Sequence, residues 1–191
     1  MTPKTNNETL LYFAFGSNLS GTQMRARCPG AAATGLAFLP GYDFIVNERG
    51  YANVIPTAGD GSGGGVYGVL YRLGSPAEKR RLDQYEGVPW AYEDLVLDVE
   101  LVDSGGITAA AAADAAGAKS TVQALVYVDR LRVSPAAPKD EYVARMNLGI
   151  DEATAEWGLP GDYVRDVMRR YIPAPAAAAT AGPDETAAAG G

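Results

Sequence analysis

Glu86 stands in the run RLDQYEGV, in the last turn of an expected helix and directly before Gly87. Most glutamates are solvated surface groups, but two features set this one apart. The C-terminal end of a helix disfavours an anion by about 0.3–1 kcal/mol. Tyr85 precedes the carboxylate and Val88-Pro89-Trp90 follows it, an apolar setting. Both effects raise a carboxyl pKa, and a raised pKa suits a carboxylate that accepts and returns a proton near neutral pH. A second candidate is Gly16-Ser17-Asn18, where the apolar segment LYFAF runs out into small residues. Consecutive backbone N–H groups at such a bend can hold a carboxylate or an oxyanion, and Ser17 and Asn18 add a hydroxyl and an amide. The plainer reading of the same three residues is an ordinary turn with an Asn or Ser cap. Tyr92, six residues after Glu86, and Tyr142, at the start of a helix after SPAAPKDE, each offer a hydroxyl to a ligand. With 11 tyrosines in the chain, any one of them more often packs than reacts.

The chain contains no histidine and a single cysteine, Cys28. This excludes Ser-His-Asp and Cys-His hydrolases, His-based proton transfer and a zinc shell. Cys28 has no histidine to activate it and reads as a bystander thiol. Composition leaves an all-carboxylate magnesium site open, but no Asp and Glu are spaced for one. The net charge of −7 argues against nucleic acid as a partner. No run approaches the ~18 apolar residues of a membrane span. The opening MTPKTNNETL lacks the apolar segment of a signal peptide. One cysteine fits a reducing compartment, so the expected location is cytoplasmic.

These residues must be held by a mixed set of short elements. The composition and hydropathy pattern give strands over residues 10–15, 52–55 and 66–73, with two more around Pro40-Gly41. A short helix is expected from Asn18 or Ser20 to Cys28, with Arg25 and Arg27 matching the dipole at its end. Ser75-Pro76-Ala77-Glu78 reads as a capping box opening a helix that carries Leu82, Tyr85 and Glu86 and stops at Gly87; Asp83 on it reads as surface. Residues 92–103 alternate with period two and pair with residues 121–129. Two helices close the domain: Val143, Met146, Ile150, Ala153 and Trp157 stripe the first, and Val164, Val167, Met168 and Tyr171 the second, with Asp162 as its N-cap. Gly68 inside a strand points to a bend or a close backbone approach. Residues 1–9 and the Ala/Pro/Gly-rich tail 173–191 are expected to be disordered, and the low-complexity stretch 104–119 to be a hairpin insertion. The fold class is α+β, built on a small, mixed, curved sheet or barrel with the helices outside.

The ordered set YFAFGSNL, VYGVLYRL and LDQYEGV resembles the γ-glutamylcyclotransferase family, with its AIG2-like or cyclotransferase-like fold, over residues 10–172. The resemblance implies an α+β fold with a small mixed β-barrel and flanking helices, and a cavity bounded by the Gly-Ser-Asn-Leu loop. It implies an activity that converts a γ-glutamyl amide into 5-oxoproline and a free amine without metal or cofactor. It places the catalytic glutamate at Glu86. The substrate-binding loop falls on Tyr12, Phe13, Ala14, Phe15, Gly16, Ser17, Asn18 and Leu19, with substrate-orienting tyrosines at Tyr92 and Tyr142. The commonest loop in the family reads Tyr-Gly-Ser-Asn, and Phe15 replaces its tyrosine here. The GSN sequence differs from the GSL and GTL of the glutathione and γ-glutamylamine branches, which favours a γ-glutamyl amino acid or a specialised conjugate as substrate. Two alternatives stand beside this reading: a tailoring enzyme of the same fold acting on an unusual γ-glutamyl conjugate, and a non-catalytic binding module that keeps the cavity. The expected partner is a small molecule, with neither nucleic acid nor membrane, on a monomer or homodimer.

Overall fold

The computed structural model describes residues 10–59, 64–102 and 120–175. Seven strands and four helices follow the chain: β1 (Leu10–Ala14), α1 (Gly21–Arg27), β2 (Ala32–Pro40), β3 (Tyr42–Val46), β4 (Ala52–Pro56), β5 (Gly65–Leu73), α2 (Pro76–Glu86), β6 (Glu93–Leu101), β7 (Thr121–Val128), α3 (Asp140–Trp157) and α4 (Gly161–Asp166). Short 3₁₀ turns cover Ser17–Leu19 and Met168–Arg170. The expected disordered start 1–9, the insertion from residue 104 and the tail beyond residue 175 lie outside the described residues.

Five strands close a barrel in the order β1-β5-β2-β6-β7. Four of its seams are antiparallel, and the fifth is a parallel contact of β1 with β7 through Tyr12 and Leu125. The expected pairing of the period-two strand with residues 121–129 is the β6–β7 ladder, Glu93 opposite Val128 through Glu100 opposite Thr121. Pro40-Gly41 does not join partners: β2 stays in the barrel, whereas β3 leaves it to pair with β4 as a separate two-stranded ribbon. Phe13, Leu36, Leu39, Val66, Val69 and Val126 are buried in the barrel strands, and Leu82, Met146 and Ile150 bring the helices into the same core. Gly68 lies where a Cβ would sit 2.6 Å from the Ala14 carbonyl and 2.7 Å from the Phe13 ring, the close approach its place in a strand suggested.

The helices follow their apolar stripes with three departures. The Ser75 side chain makes no capping hydrogen bond; Glu78 instead turns outward from its own helix and accepts the N–H groups of Gly74 (2.7 Å) and Gly30. The Gly74 N–H just before the helix and the Gly30 N–H, 48 residues away in the chain, outcompete the box for this carboxylate, and so tie the end of α1 to the start of α2. At the other end Gly87 adopts the left-handed conformation (φ 70°) and closes α2 as expected. The last expected helix is two pieces, α4 and a 3₁₀ turn that closes through Tyr171 N–H to Met168 O (3.1 Å); its N-cap is Pro160, and Asp162 only accepts the Tyr163 N–H. Asp83 is also less peripheral than its sequence suggests, taking hydrogen bonds from the Tyr127 hydroxyl (2.6 Å) and from Lys79 (2.9 Å).

The ribbon is fastened to the barrel by a buried polar clamp. Asn53 donates to the Asp129 carbonyl (2.8 Å) and accepts the Asp129 N–H (2.9 Å), and Asn47 donates to the Asp129 carboxylate (3.0 Å). All three residues are buried. Unpaired polar groups are costly in a core, so this set fixes the ribbon's position rather than merely its contact. The fixed ribbon holds Arg49, Tyr51 and Ala52 beside the barrel end from which the β1 loop emerges.

Candidate active site

One cavity of about 210 Å³ opens between the loop after β1, the end of α2, the β3–β4 turn and the start of α3. Glu86 reaches it from the last turn of α2, with its side chain 16% exposed. The Asn18 amide donates to Glu86 Oε1 at 3.0 Å, and the Arg27 guanidinium stands 3.7 Å from the same oxygen. Burial pushes the Glu86 carboxyl above the ordinary carboxylate range; Arg27 first, then Asn18, Arg145 and Arg49 oppose the rise.

Asn18 is the pivot of this wall. Its amide donates to the Tyr12 hydroxyl (2.9 Å) as well as to Glu86, and its carbonyl oxygen accepts from Gln23 (2.8 Å) and Arg27 (2.9 Å). Both amide protons and both lone pairs are therefore in use, which fixes the orientation of the amide. Ser20 caps α1 by accepting the Gln23 N–H at 3.0 Å. The short helix thus carries both Gln23 and Arg27 to Asn18.

The loop itself presents its backbone to the cavity. Among the described residues no protein acceptor takes the N–H of Gly16 or Asn18. The Ser17 N–H faces the Tyr142 hydroxyl, which also accepts the Ala52 N–H at 3.2 Å. A Cβ on Gly16 would lie 2.9 Å from the Tyr142 hydroxyl oxygen and 3.3 Å from the Ala52 Cβ, so only glycine allows the loop this close to α3 and β4. Tyr92 donates to the Ala52 carbonyl at 2.9 Å, and so the two tyrosines hold both backbone polar groups of one residue. Burial pushes the Tyr142 phenol up to about 12 and raises those of Tyr12 and Tyr92 as well. These phenols stay protonated at neutral pH and act as neutral hydrogen-bonding groups. Glu86 is left as the carboxylate that can change charge inside the cavity.

The sequence-derived residues divide cleanly. Glu86, Tyr12, Phe15, Gly16, Ser17, Asn18, Tyr92 and Tyr142 all line the cavity. Phe13, Ala14 and Leu19 belong to the same segment but are buried in the core and do not line it. The alternation of β1 sends the Tyr12 and Phe13 side chains to opposite faces. Cys28 is fully buried beneath α2, and burial raises its thiol pKa. The setting of Glu86 differs from expectation: Trp90 is 85% exposed and does not line the cavity, and of its apolar sequence neighbours only Tyr85, 57% exposed, does. Residues distant in the chain enclose it, and they are polar and cationic rather than apolar.

Three arginines in the lining were not legible as site residues. Arg27, which matches a helix dipole on paper, stacks on the Tyr85 ring (4.9 Å) and pairs with Glu86. Arg49 lies over the Tyr92 ring (5.1 Å), and Arg145 over the Tyr142 ring (5.2 Å). Nothing in local spacing distinguishes a lining arginine from a surface one. Tyr51 and Tyr127 complete the lining in the same way. Among the described residues no group of three or more His, Cys, Asp or Glu is placed to hold a metal ion. No helix among them is long and apolar enough to cross a membrane.

A closed five-stranded barrel thus carries a cavity whose lining holds a single carboxylate, Glu86, beside the Gly-Ser-Asn loop. The family model for gamma-glutamyl cyclotransferase, AIG2-like, matches residues 12–144, and the chain belongs to that family. The solved structure of a protein named gamma-glutamyl cyclotransferase is 22% identical, with a TM-score of 0.65 over 88% of this chain and 90% of the other. A human protein described as uncharacterized protein loc79017 is also 22% identical, with a TM-score of 0.65 over 93% and 95% of the two chains. YkqA from Bacillus subtilis is 21% identical, with a TM-score of 0.63 over 88% of this chain and 56% of the other. These likenesses establish a shared fold. A comparison with curated proteins gave no match.

Proposed function

We propose that the protein is a γ-glutamylcyclotransferase, which closes the γ-glutamyl group of a γ-glutamyl amino acid or conjugate to 5-oxoproline and releases the amine. The observation that carries this reading is the Glu86 carboxylate in the cavity wall, held 3.0 Å from the amide of Asn18 in the Gly-Ser-Asn loop. Membership of the family supports it.

The α-nitrogen of a γ-glutamyl group is an ammonium at neutral pH and has no lone pair for attack. Glu86 accepts one proton, and the freed amine attacks the γ-carbonyl carbon of the same molecule. The carbonyl oxygen becomes an oxyanion, the bond to the departing nitrogen breaks, and the five-membered lactam forms. Of the three protons on the α-nitrogen, one stays on the lactam and two reach the departing nitrogen, carried in turn by Glu86. The free loop N–H groups of Gly16 and Asn18 hold the α-carboxylate or the oxyanion. Tyr92 and Tyr142 keep the opposite wall in place and orient the folded substrate. The nucleophile belongs to the substrate, so the enzyme supplies geometry and one proton carrier. That is chemistry suited to a chain without histidine.

The test is a panel of γ-glutamyl compounds incubated with the protein, with 5-oxoproline measured by chromatography. Release of 5-oxoproline and free amine in equal amounts is the expected result. Saturable binding across the panel without either product would replace the enzyme by a binding module.

A further inference from the structure

We propose that Arg49 is a specificity-determining residue that holds a carboxylate carried by the departing amine; this inference rests on the reading given under Proposed function. Each of the three guanidinium groups in the lining has a carboxylate at 3.0–3.8 Å, but among the described residues only the partner of Arg49 also forms an ion pair with a second guanidinium. Arg27 faces Glu86 at 3.7 Å and donates to Asn18. Arg145 gives Nε and Nη2 to Glu141, at 3.0 and 3.4 Å.

Arg49 is arranged differently. Its Nη1 donates to the Ala91 carbonyl at 3.1 Å and stands 3.8 Å from Asp129. Asp129 is shared, because Arg132 Nε lies 3.3 Å from the same carboxylate oxygen. Two guanidinium groups around one carboxylate leave a net positive charge. Among the described residues neither Nε nor Nη2 of Arg49 has a hydrogen-bond acceptor, so three of its five N–H donors remain uncommitted. Its place over the rings of Tyr92 and Tyr51 fixes the plane of the fork in the cavity wall. A planar fork with free donors is matched by a carboxylate.

The charges of the substrate can then be assigned one by one. The α-ammonium meets Glu86, and the α-carboxylate meets the loop N–H groups beside Arg27. Arg49 remains, and a γ-glutamyl group has no further anion to give it. The second carboxylate must come from the other side of the scissile amide. The departing amine is therefore an amino acid or a peptide with a free carboxylate within reach, rather than a neutral or polycationic amine.

The experiment compares γ-glutamyl-alanine with γ-glutamyl-alaninamide, which differ at the distal carboxylate alone, in the wild type, Arg49→Met and Arg49→Lys. Initial rates of 5-oxoproline release give kcat/KM for each pair. In the wild type the acid should be preferred about ten- to hundredfold, mainly through KM, the range of a hydrogen bond to a charged group. In Arg49→Met the acid-to-amide ratio should fall toward one, and Arg49→Lys should lie between. The ratio is internal to each variant, so partial loss of folded protein does not distort it, and the wild-type pair stands if a variant fails to fold. Equal turnover of acid and amide by the wild type would overturn the inference, as would an unchanged ratio in Arg49→Met. In both of those cases the cyclotransferase reading survives; absence of 5-oxoproline from both compounds would remove both together.

Discussion

At the scale of the residue, Glu86 is held between two opposing tendencies. Burial raises its carboxyl pKa, and the Arg27 guanidinium with the Asn18 amide draws it back. Under the proposed reading the ionised form accepts a proton from the substrate, so activity should fall as pH drops through this raised pKa. Arg27→Met removes the largest opposing influence and leaves burial less checked. The acid limb of kcat/KM should therefore move to higher pH, measured as a pH–rate profile beside the wild type. The same shift has a consequence for stability. A carboxyl whose folded pKa exceeds its unfolded one stabilises the fold below the unfolded value, and that contribution is lost as pH rises through the folded value. At neutral pH the ionised Glu86 thus weakens the fold, and Glu86→Gln should melt at a higher temperature than the wild type. The gap should close as pH falls through the raised Glu86 value toward the ordinary carboxylate range, and calorimetry at several pH values reads it directly.

At the scale of the element, the site depends on two helices that end at the cavity. Arg27 closes α1 and Glu86 closes α2, and Glu78 ties the two through the N–H groups of Gly30 and Gly74. Glu78→Ala should lower the unfolding free energy by about 1.5–3 kcal/mol, the worth of hydrogen bonds to a charged group, as read by urea denaturation. What the sequence reveals and what it hides both follow from range. Gly87 at the end of α2, the alternation of β6 and the glycine in β5 are local signals, and each is found in its expected place. Glu86 and the Gly-Ser-Asn loop were legible because a helix end and a strand end mark them. The embrace of Glu86 by Asn18, 68 residues away, has no local signature. Nor have Arg49 and Arg145, which stand in a turn and on an exposed helix flank until the ribbon and α3 close over the barrel. The failed capping box teaches the same lesson, since Glu78 has better partners outside its own helix.

At the scale of the whole molecule, a chain of net charge −7 carries a cavity with three arginines and one glutamate in its lining. The cavity attracts anions against the general field of the protein, and salt screens such attraction over roughly 8 Å at physiological ionic strength. KM for an anionic γ-glutamyl substrate should rise with added sodium chloride while kcat changes little, as steady-state kinetics in a salt series would record. Under the proposed reading the barrel and ribbon place one proton carrier beside one loop of backbone donors, with tyrosines that remain neutral around them. If that carrier is Glu86, no other group in the cavity can replace it. The most direct measurement is 5-oxoproline release from γ-glutamyl-alanine by wild type and Glu86→Gln at equal folded concentration, with binding of the same compound followed by calorimetry. The expected result is a fall in kcat of about a hundredfold or more with binding retained; turnover by Glu86→Gln within a few fold of wild type would contradict it.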